Sequence, residues 1–391
     1  MKVVVVASLA FSLVNFRRRL LEDMIACGHE VIACAPDDDC EVVRELAMMG
    51  VPYRKMPMAR SGLNPLADLR TLAWIVRLLD RERPDLVLAY TQKPIVYAGI
   101  ASRIVRGSRF FAMVSGLGHA FGEGGGRWLR LVVAVLYRQA LARAEGVFVF
   151  NADDRDEMLG HRMISPTAPV TRVPGSGVDL IHYKAEPVPA GPLRFLMVAR
   201  LLRSKGLFEY VEAARSIRRR HPDVRFELLG PLDPSPAGIG RSQLEAWQRE
   251  GVIDYLGEAR DVRPYLVAAS VFVLPSWYRE GLPRTILEAM STGRAVVTTD
   301  MPGCREPIEQ ARNGYVVAPR DPNALEEALM RFVDDPALAP AMGMRARETA
   351  EASFSVELVN DILLSTMHLR GPERDRRPMS VGTSILADAA R

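Results

Sequence analysis

Short apolar runs alternate along this chain with longer stretches in which apolar residues return every three or four positions, and the whole alternation occurs twice. The runs suit buried strands and the stretches suit amphipathic helices, so the pattern predicts α/β architecture with parallel sheets in two similar halves. In the first half, strands fall near residues 2–7, 30–35, 52–56, 86–90, 110–114 and 147–150, with helices near 16–26, 65–80 and 127–142. In the second, strands fall near 194–198, 225–229, 253–256, 271–274, 295–298 and 314–317, with helices near 207–219, 242–249 and 283–291. The run Glu186-Pro187-Val188-Pro189-Ala190-Gly191-Pro192 is a stiffened connection between them. The expected domains are therefore 1–186 and 187–355, then a closing helix over 356–370 and, from Gly371, a proline- and arginine-rich tail expected to be mobile. Ligands of open α/β sheets bind outside the carboxyl ends of the strands, so two such domains are expected to hold their substrates in a cleft between them.

Composition narrows the class. With 391 residues, 48% hydrophobic and 25% charged, the chain is long enough for two cores and is neither disordered nor collagen-like. Lys plus Arg number 51 against 47 Asp plus Glu, a balance of +4 that gives no argument for a nucleic-acid partner. Cys27, Cys34, Cys40 and Cys304 are scattered without a C-x-x-C pair or metal-ligand spacing, and read as reduced thiols of a cytosolic protein. The apolar start after Lys2 has the look of a signal peptide, but Arg17-Arg18-Arg19 stand where a cleavage site should follow. No stretch approaches the ~20 apolar residues that a spanning helix requires.

The sharpest chemical feature is Glu280-Gly281-Leu282-Pro283-Arg284-Thr285-Ile286-Leu287-Glu288, directly after the apolar run at 269–275. Pro283 fits a first helical position, which puts Glu280 in a strand-to-helix loop and Glu288 on the second helical turn, both able to face one cleft. Gly281 lets backbone approach a ligand, and free N–H groups at the helix start attract phosphate. The alternative is a solvated loop carboxylate and a surface helix carboxylate.

These residues resemble the E-x7-E motif of glycosyltransferase family 4, a group of retaining enzymes with the GT-B fold. Further stretches agree: Val198-Ala199-Arg200-Leu201-Leu202-Arg203-Ser204-Lys205-Gly206, Leu228-Leu229-Gly230-Pro231, Val173-Pro174-Gly175-Ser176-Gly177-Val178-Asp179 and Pro302-Gly303-Cys304-Arg305-Glu306. Ser61-Gly62-Leu63-Asn64-Pro65, Tyr90-Thr91-Gln92-Lys93-Pro94, Gly116-Leu117-Gly118-His119 and Asn151-Ala152-Asp153-Asp154 are similar to the PglA-like and capsular polysaccharide branch. The resemblance runs from residue 1 to about 368 and implies two Rossmann-like doubly wound domains, the first binding the acceptor and the second the nucleotide sugar. It implies transfer of a hexose or N-acetylhexosamine from a nucleotide diphosphate, uridine diphosphate by family habit, to a polyprenyl-diphosphate-linked sugar.

By that resemblance Arg200 and Lys205 meet the diphosphate, Glu288 accepts from the ribose hydroxyls, and Glu280 with the backbone of Gly281, Leu282 and Pro283 contacts the sugar and its phosphate. Gly230 and Val262, which end strands or turns on the same rim, are expected to hold the base. On the acceptor side stand Ser8, Asn15, Ser115 and His119; relatives carry a histidine where this chain has Ser115, and His119 is the nearest imidazole. The loop 8–15 is expected to open the helix containing Arg17–Arg19, and Gly122, Gly124, Gly125 and Gly126 to make the segment after His119 mobile. The segment 127–138 reads either as a core helix or as one whose Trp128 and flanking Arg127, Arg130 and Arg138 suit a bilayer interface. With Arg17–Arg19 these arginines lead to the expectation of a peripheral enzyme on the inner face of the cell membrane. Asp37-Asp38-Asp39 resembles the metal-binding triplet of the other glycosyltransferase fold but reads better as a turn with capping carboxylates. No metal and no cofactor are expected. The rival readings are a nucleotide-sugar 2-epimerase of the same fold and a two-domain solute-binding protein, the latter lacking a reason for clustered cations.

Overall fold

The computed structural model describes residues 1–59, 64–118, 121 and 126–370. Their contacts divide them into two units, residues 1–176 with 357–370 and residues 177–356. The first unit is built on strands β1 (Lys2–Val6), β2 (Glu30–Ala35), β3 (Tyr53–Lys55), β4 (Leu86–Tyr90), β5 (Arg109–Val114), β6 (Gly146–Val149) and β7 (Val170–Arg172). They form one parallel sheet in the order β3-β2-β1-β4-β5-β6-β7. The apolar run at its centre is explained by burial on both faces: Val3, Val4, Val5 and Val6 are all enclosed, with Val5 beside Ala33 on one side and Leu88 on the other.

Helices α1 (Ala10–Asn15), α2 (Arg18–Ala26), α3 (Cys40–Met48), α4 (Pro65–Glu82), α5 (Gln92–Val105), α6 (Arg127–Leu141) and α7 (Ala152–Gly160) connect these strands. Two departures from the expected pattern have physical causes. The loop expected at 8–15 is largely helical, and the helix expected at 16–26 is interrupted at Phe16 and Arg17, because Arg17 turns inward. Its guanidinium lies 5.4 Å from the Tyr90 ring and 5.9 Å from the Phe150 ring, with Nη2 2.7 Å from Met113 Sδ. Arg17 is thus no membrane-facing cation, and Arg18 and Arg19 are paired with Glu45 and Glu22. Helix α5 escaped the sequence pattern because Pro94 and Gly99 interrupt its periodicity. Pro94 sits in the first turn, where its missing N–H costs nothing. Gly99 is required because a Cβ there would lie 2.6 Å from Ala140 O of α6.

The second unit repeats the plan with β8 (Arg194–Val198), β9 (Arg225–Leu229), β10 (Asp254–Tyr255), β11 (Val271–Leu274), β12 (Ala295–Thr299) and β13 (Gly314–Val317), again all parallel, in the order β10-β9-β8-β11-β12-β13. Its helices are α8 (Leu207–Arg220), α9 (Arg241–Glu250), α10 (Arg263–Ala268), α11 (Arg284–Ser291), α12 (Pro322–Asp334) and α13 (Leu338–Ser353). Each sheet changes direction of strand order once, between β1 and β4 and between β8 and β11. Those are the positions where open α/β sheets open a crevice at their carboxyl edge.

The proline-rich run belongs to the second unit through Arg294. This arginine is fully buried and donates to the carbonyls of Glu186, Pro187, Leu266 and Val267 at 2.7–3.1 Å. Burial pulls its pKa down to about 10, so it stays charged at neutral pH. Helix α14 (Val356–Thr366), the last among the described residues, and the residues after it meet the first unit: Asn360 Nδ2 donates to Asp23 Oδ2 at 2.6 Å and Arg109 Nη1 to Met367 O at 2.9 Å.

Gly343 of α13 has no room for a side chain, since a Cβ would stand 2.1 Å from Gly293 O. Gly343→Ala is expected to cost about 1–3 kcal/mol by overpacking, read as a fall of roughly 2–10 °C in the thermal midpoint. Gly160→Ala, which meets open space, serves as the control and should leave the midpoint in place; equal midpoints for both variants would contradict the contact.

Candidate active site

At the switch point of the second sheet, the loops leaving β8 and β11 are laced together. Ser204 O accepts hydrogen bonds from Trp277 N at 3.0 Å and Tyr278 N at 3.2 Å. Gly206, at φ 80°, permits the crossing, because a Cβ there would lie 2.0 Å from Pro275 O. The lacing brings Lys205, at the end of a 3-10 turn (Arg203–Lys205), against Glu280: the ammonium and carboxylate form an ion pair, and Ser276 Oγ donates to Glu280 Oε1 at 3.1 Å. Lys205 thus precedes α8 rather than opening it, with Gly206 as the cap. The turn at Gly303 holds the far side of the Glu280 loop, where a Cβ would stand 2.5 Å from Glu280 O. Only 16% of the Lys205 and 14% of the Glu280 side chain is exposed, so Glu280 is not the solvated loop carboxylate of the alternative reading.

Glu288 lies on the second turn of α11, as expected, but the helix starts at Arg284 and Pro283 is its cap, in extended conformation. The carboxylate is buried, and its Oε1 accepts from Tyr183 Oη and from Arg284 Nε, both at 2.9 Å. Tyr183 is itself pinned, its carbonyl accepting from Ser291 Oγ at 2.6 Å and Arg347 Nη1 at 2.9 Å. Burial, then the Glu288 charge, pushes the Tyr183 hydroxyl far above its usual pKa, so it remains a donor. The sequence offered no sign of Tyr183 beyond an aromatic residue shortly after the 173–179 turn.

Glu280 and Glu288 are therefore each held by their own cation and hydroxyl. Arg200 is 61% exposed and pairs with Asp233 at 3.1 Å, apart from the Lys205 pair. Hydrogen bonds from Ser235, and then Arg200, hold the Asp233 carboxyl below its usual range. Gly230, at φ 146°, answers first to packing: a Cβ would meet Ala199 O at 1.9 Å, while its N donates to Gly257 O at 2.8 Å and its carbonyl accepts from Tyr255 Oη at 2.9 Å. Leu282 is buried beside Gly281 and Pro283, and Val262 caps α10 on the same edge.

In the first unit, Ser8 lies in the turn after β1, and Asn15 ends α1 instead of lying in a loop. Asp37 Oδ1 accepts from Ala10 N at 2.9 Å, Asp39 caps α3, and Asp38 pairs with Lys55, so the acidic triplet diverges to three separate partners. Among the described residues no group of three or more His, Cys, Asp or Glu is placed to hold a metal. Ser115 follows β5, half-buried; His119, Gly122, Gly124 and Gly125 lie outside the described residues. Thr91 lies at the switch point after β4, where no local sequence signal marks it as a site residue. It holds φ 71° and ψ 160°, unusual for a threonine, and its buried Oγ1 has no partner among the described residues. Such strain costs of order 1–3 kcal/mol and concentrates at functional sites.

Comparison with known proteins places both units. Residues 14–176 match the model of a "Glycosyl transferase 4-like domain" and residues 192–335 that of "Glycosyl transferases group 1". The chain is 25% identical over 356 residues to the N,N'-diacetylbacillosaminyl-diphospho-undecaprenol alpha-1,3-N-acetylgalactosaminyltransferase of Campylobacter jejuni, covering 87% of this chain and 91% of that one. It is 35% identical over 202 residues to the putative colanic acid biosynthesis glycosyltransferase WcaL of Escherichia coli, 49% of each chain. Among solved structures, HepE of Anabaena in complex with UDP superposes with a TM-score of 0.75 at 19% identity, covering 94% of this chain and 100% of that one, a likeness of GT-B fold.

Tyr183→Phe and Glu288→Gln should each lower stability, by about 1.5–3 kcal/mol if the hydrogen bond to the charged carboxylate is lost. The double variant should be little worse than either single one, because both remove the same bond. Additive losses in the thermal midpoints would show that Tyr183 and Glu288 act apart.

Proposed function

The chain belongs to the retaining glycosyltransferases of family 4, and we propose that it moves a hexose or N-acetylhexosamine from uridine diphosphate to a polyprenyl-diphosphate-linked sugar during surface polysaccharide synthesis. The observation that carries this reading is the Lys205–Glu280 pair at the β8/β11 switch point, close to the start of α11. As the bond from the sugar's anomeric carbon to the diphosphate oxygen breaks, an acceptor hydroxyl oxygen bonds to that carbon on the same face and its proton passes to the departing diphosphate oxygen. Negative charge then grows on the diphosphate. Lys205 and Arg200 offset it, helped by N–H groups at the start of α11. Glu280, with the Gly281–Pro283 backbone, orients the sugar, and Glu288 accepts from the ribose diol, its free oxygen remaining available because Tyr183 and Arg284 both use Oε1. Gly230 and Val262 border the base through backbone groups.

The acceptor reading rests on the Campylobacter relative, whose name specifies an undecaprenyl-diphosphate-linked acceptor, and assigns acceptor binding to the first unit near Ser8, Asn15, Ser115 and His119. A lipid-linked acceptor calls for a membrane surface, and α6 supports one. Ala134, Tyr137, Ala140 and Leu141 bury one face of this helix, while Trp128, Leu131 and Val135 are 76%, 56% and 49% exposed on another, among Arg127, Arg130 and Arg138. Leu66 and Leu69, at the start of α4, are exposed at the same carboxyl edge of the sheet. Among the described residues no helix is long and apolar enough to cross a membrane. The protein is accordingly proposed to work peripherally on the inner face of the cell membrane, with apolar side chains immersed and each nearby arginine adding roughly 1 kcal/mol of attraction to anionic lipid.

Two experiments test these assignments. Transfer from a panel of nucleotide sugars to polyprenyl-diphosphate sugars should be lost almost entirely in Lys205→Ala and Glu288→Ala, by about 100-fold or more in kcat/KM. Near wild-type turnover by either folded variant would refute the donor site, and donor turnover without acceptor would favour epimerisation. For the membrane, wild type should co-sediment with anionic vesicles and release them as salt rises. The variant with Arg127, Arg130 and Arg138 all changed to Gln should bind them less, and equal, negligible binding to anionic and neutral vesicles would contradict the claim.

A further inference from the structure

The opposite, amino edge of the first sheet carries a second concentration of chemistry. There the ends of α5 and α6 border a half-open hollow of about 270 Å³ lined by Ser102, Arg103, Arg106, Ser108, Phe110 and Arg143. Its shape follows from the contact of Gly99 with Ala140, which lets the two helices cross so closely that their ends share one hollow. Arg103 is aimed by α6, its Nη1 donating to Gln139 O at 2.7 Å and to Gln139 Oε1 at 2.9 Å. Arg106 is held at φ 54° and ψ 153°, a conformation rare outside glycine, and Gly107 follows at φ 104°. No carboxylate among the described residues pairs with Arg103, Arg106 or Arg143, and the nearby Glu145 is taken by Arg109 at 2.6–2.9 Å. Ser102 is 9% exposed, and its Oγ has no hydrogen-bond partner among the described residues.

The bland account is that arginines collect at helix C-termini because the dipoles favour cations there. The dipoles account for part of the cluster: two helix ends supply about one negative charge together, against three guanidinium groups, so an anion entering the hollow meets a net positive charge. Guanidinium forks match phosphate oxygens bidentately.

We propose that this cavity is a binding site for a phosphate-bearing anion, formed wholly within the first unit and separate from the donor site. Arg106 and Arg143 grip the phosphate oxygens from the rim, and Arg103, held by Gln139, is the fixed third cation. A free diphosphate and a phospholipid headgroup share this chemistry, and the test separates them. Pyrophosphate is titrated calorimetrically at low salt into the full chain with UDP in excess, so that the donor site is occupied. Wild type should bind one equivalent, and Arg106→Gln/Arg143→Gln should weaken binding by about tenfold or more, as lost charge-assisted hydrogen bonds require. Both substituted side chains are exposed, so the fold should persist.

Arg103→Gln should also weaken binding; an unchanged affinity beside a weakened Arg106→Gln/Arg143→Gln variant would reduce the site to a diffuse basic patch and overturn the cavity. If pyrophosphate fails to bind, co-sedimentation with phosphatidate-containing against phosphatidylcholine vesicles decides the source. Loss of phosphatidate binding in Arg106→Gln/Arg143→Gln, with Arg127, Arg130 and Arg138 intact, identifies a headgroup site and turns the amino edge, rather than the carboxyl edge at Trp128, toward the membrane. Equal behaviour of wild type and this variant toward both probes overturns the proposal.

Discussion

The candidate donor site depends on a crossing that admits no side chain. Gly206 presses against Pro275 O, the Ser204 carbonyl is shared by Trp277 and Tyr278, and together these fix the β8 and β11 loops at one spacing. Lys205 and Glu280 face each other because of that spacing. A bulkier residue at 206 would part the loops before it disturbed any charged group. The reactive arrangement is thus a property of backbone packing first and of electrostatics second.

Its charges are arranged in matched pairs: Lys205 with Glu280, Arg200 with Asp233, Arg284 with Glu288. A partly buried cation keeps its charge because a carboxylate compensates it, and removing one partner leaves the other exposed to the full desolvation cost. On the proposed reading, an arriving diphosphate competes with Glu280 for Lys205 rather than filling an empty positive hole. On the same proposal, a pair that opens for a ligand also frees Glu280 to accept from the sugar. Tyr183 plays the corresponding part for Glu288, saturating one oxygen and fixing the other.

Much of this was legible in the sequence, for identifiable reasons. Strands buried on both faces leave continuous apolar runs, so β1, β4, β8, β11 and β12 announce themselves, and the spacing of Glu280 and Glu288 survives as one loop and two helical turns. What could not be read depends on contacts between distant residues. Helix α5 was hidden by Gly99, whose purpose appears only once Ala140 lies against it. Arg17 read as a surface cation in a run of three arginines, and only the rings of Tyr90 and Phe150 explain its burial. Tyr183 meets Glu288 across 105 positions, and Asp233 meets Arg200 across 33, separations that no local pattern encodes.

The central claim, that the Lys205–Glu280 pair is the place where donor diphosphate is received, is tested most directly by a double-variant cycle in UDP affinity, using Lys205→Met and Glu280→Gln measured by calorimetry. The account predicts that Lys205→Met weakens UDP binding by about tenfold or more, the loss expected for a charge-assisted contact, and that adding Glu280→Gln to it changes little, since the two side chains act as one unit. Unchanged UDP affinity in Lys205→Met, or fully additive effects of the two substitutions, would contradict it.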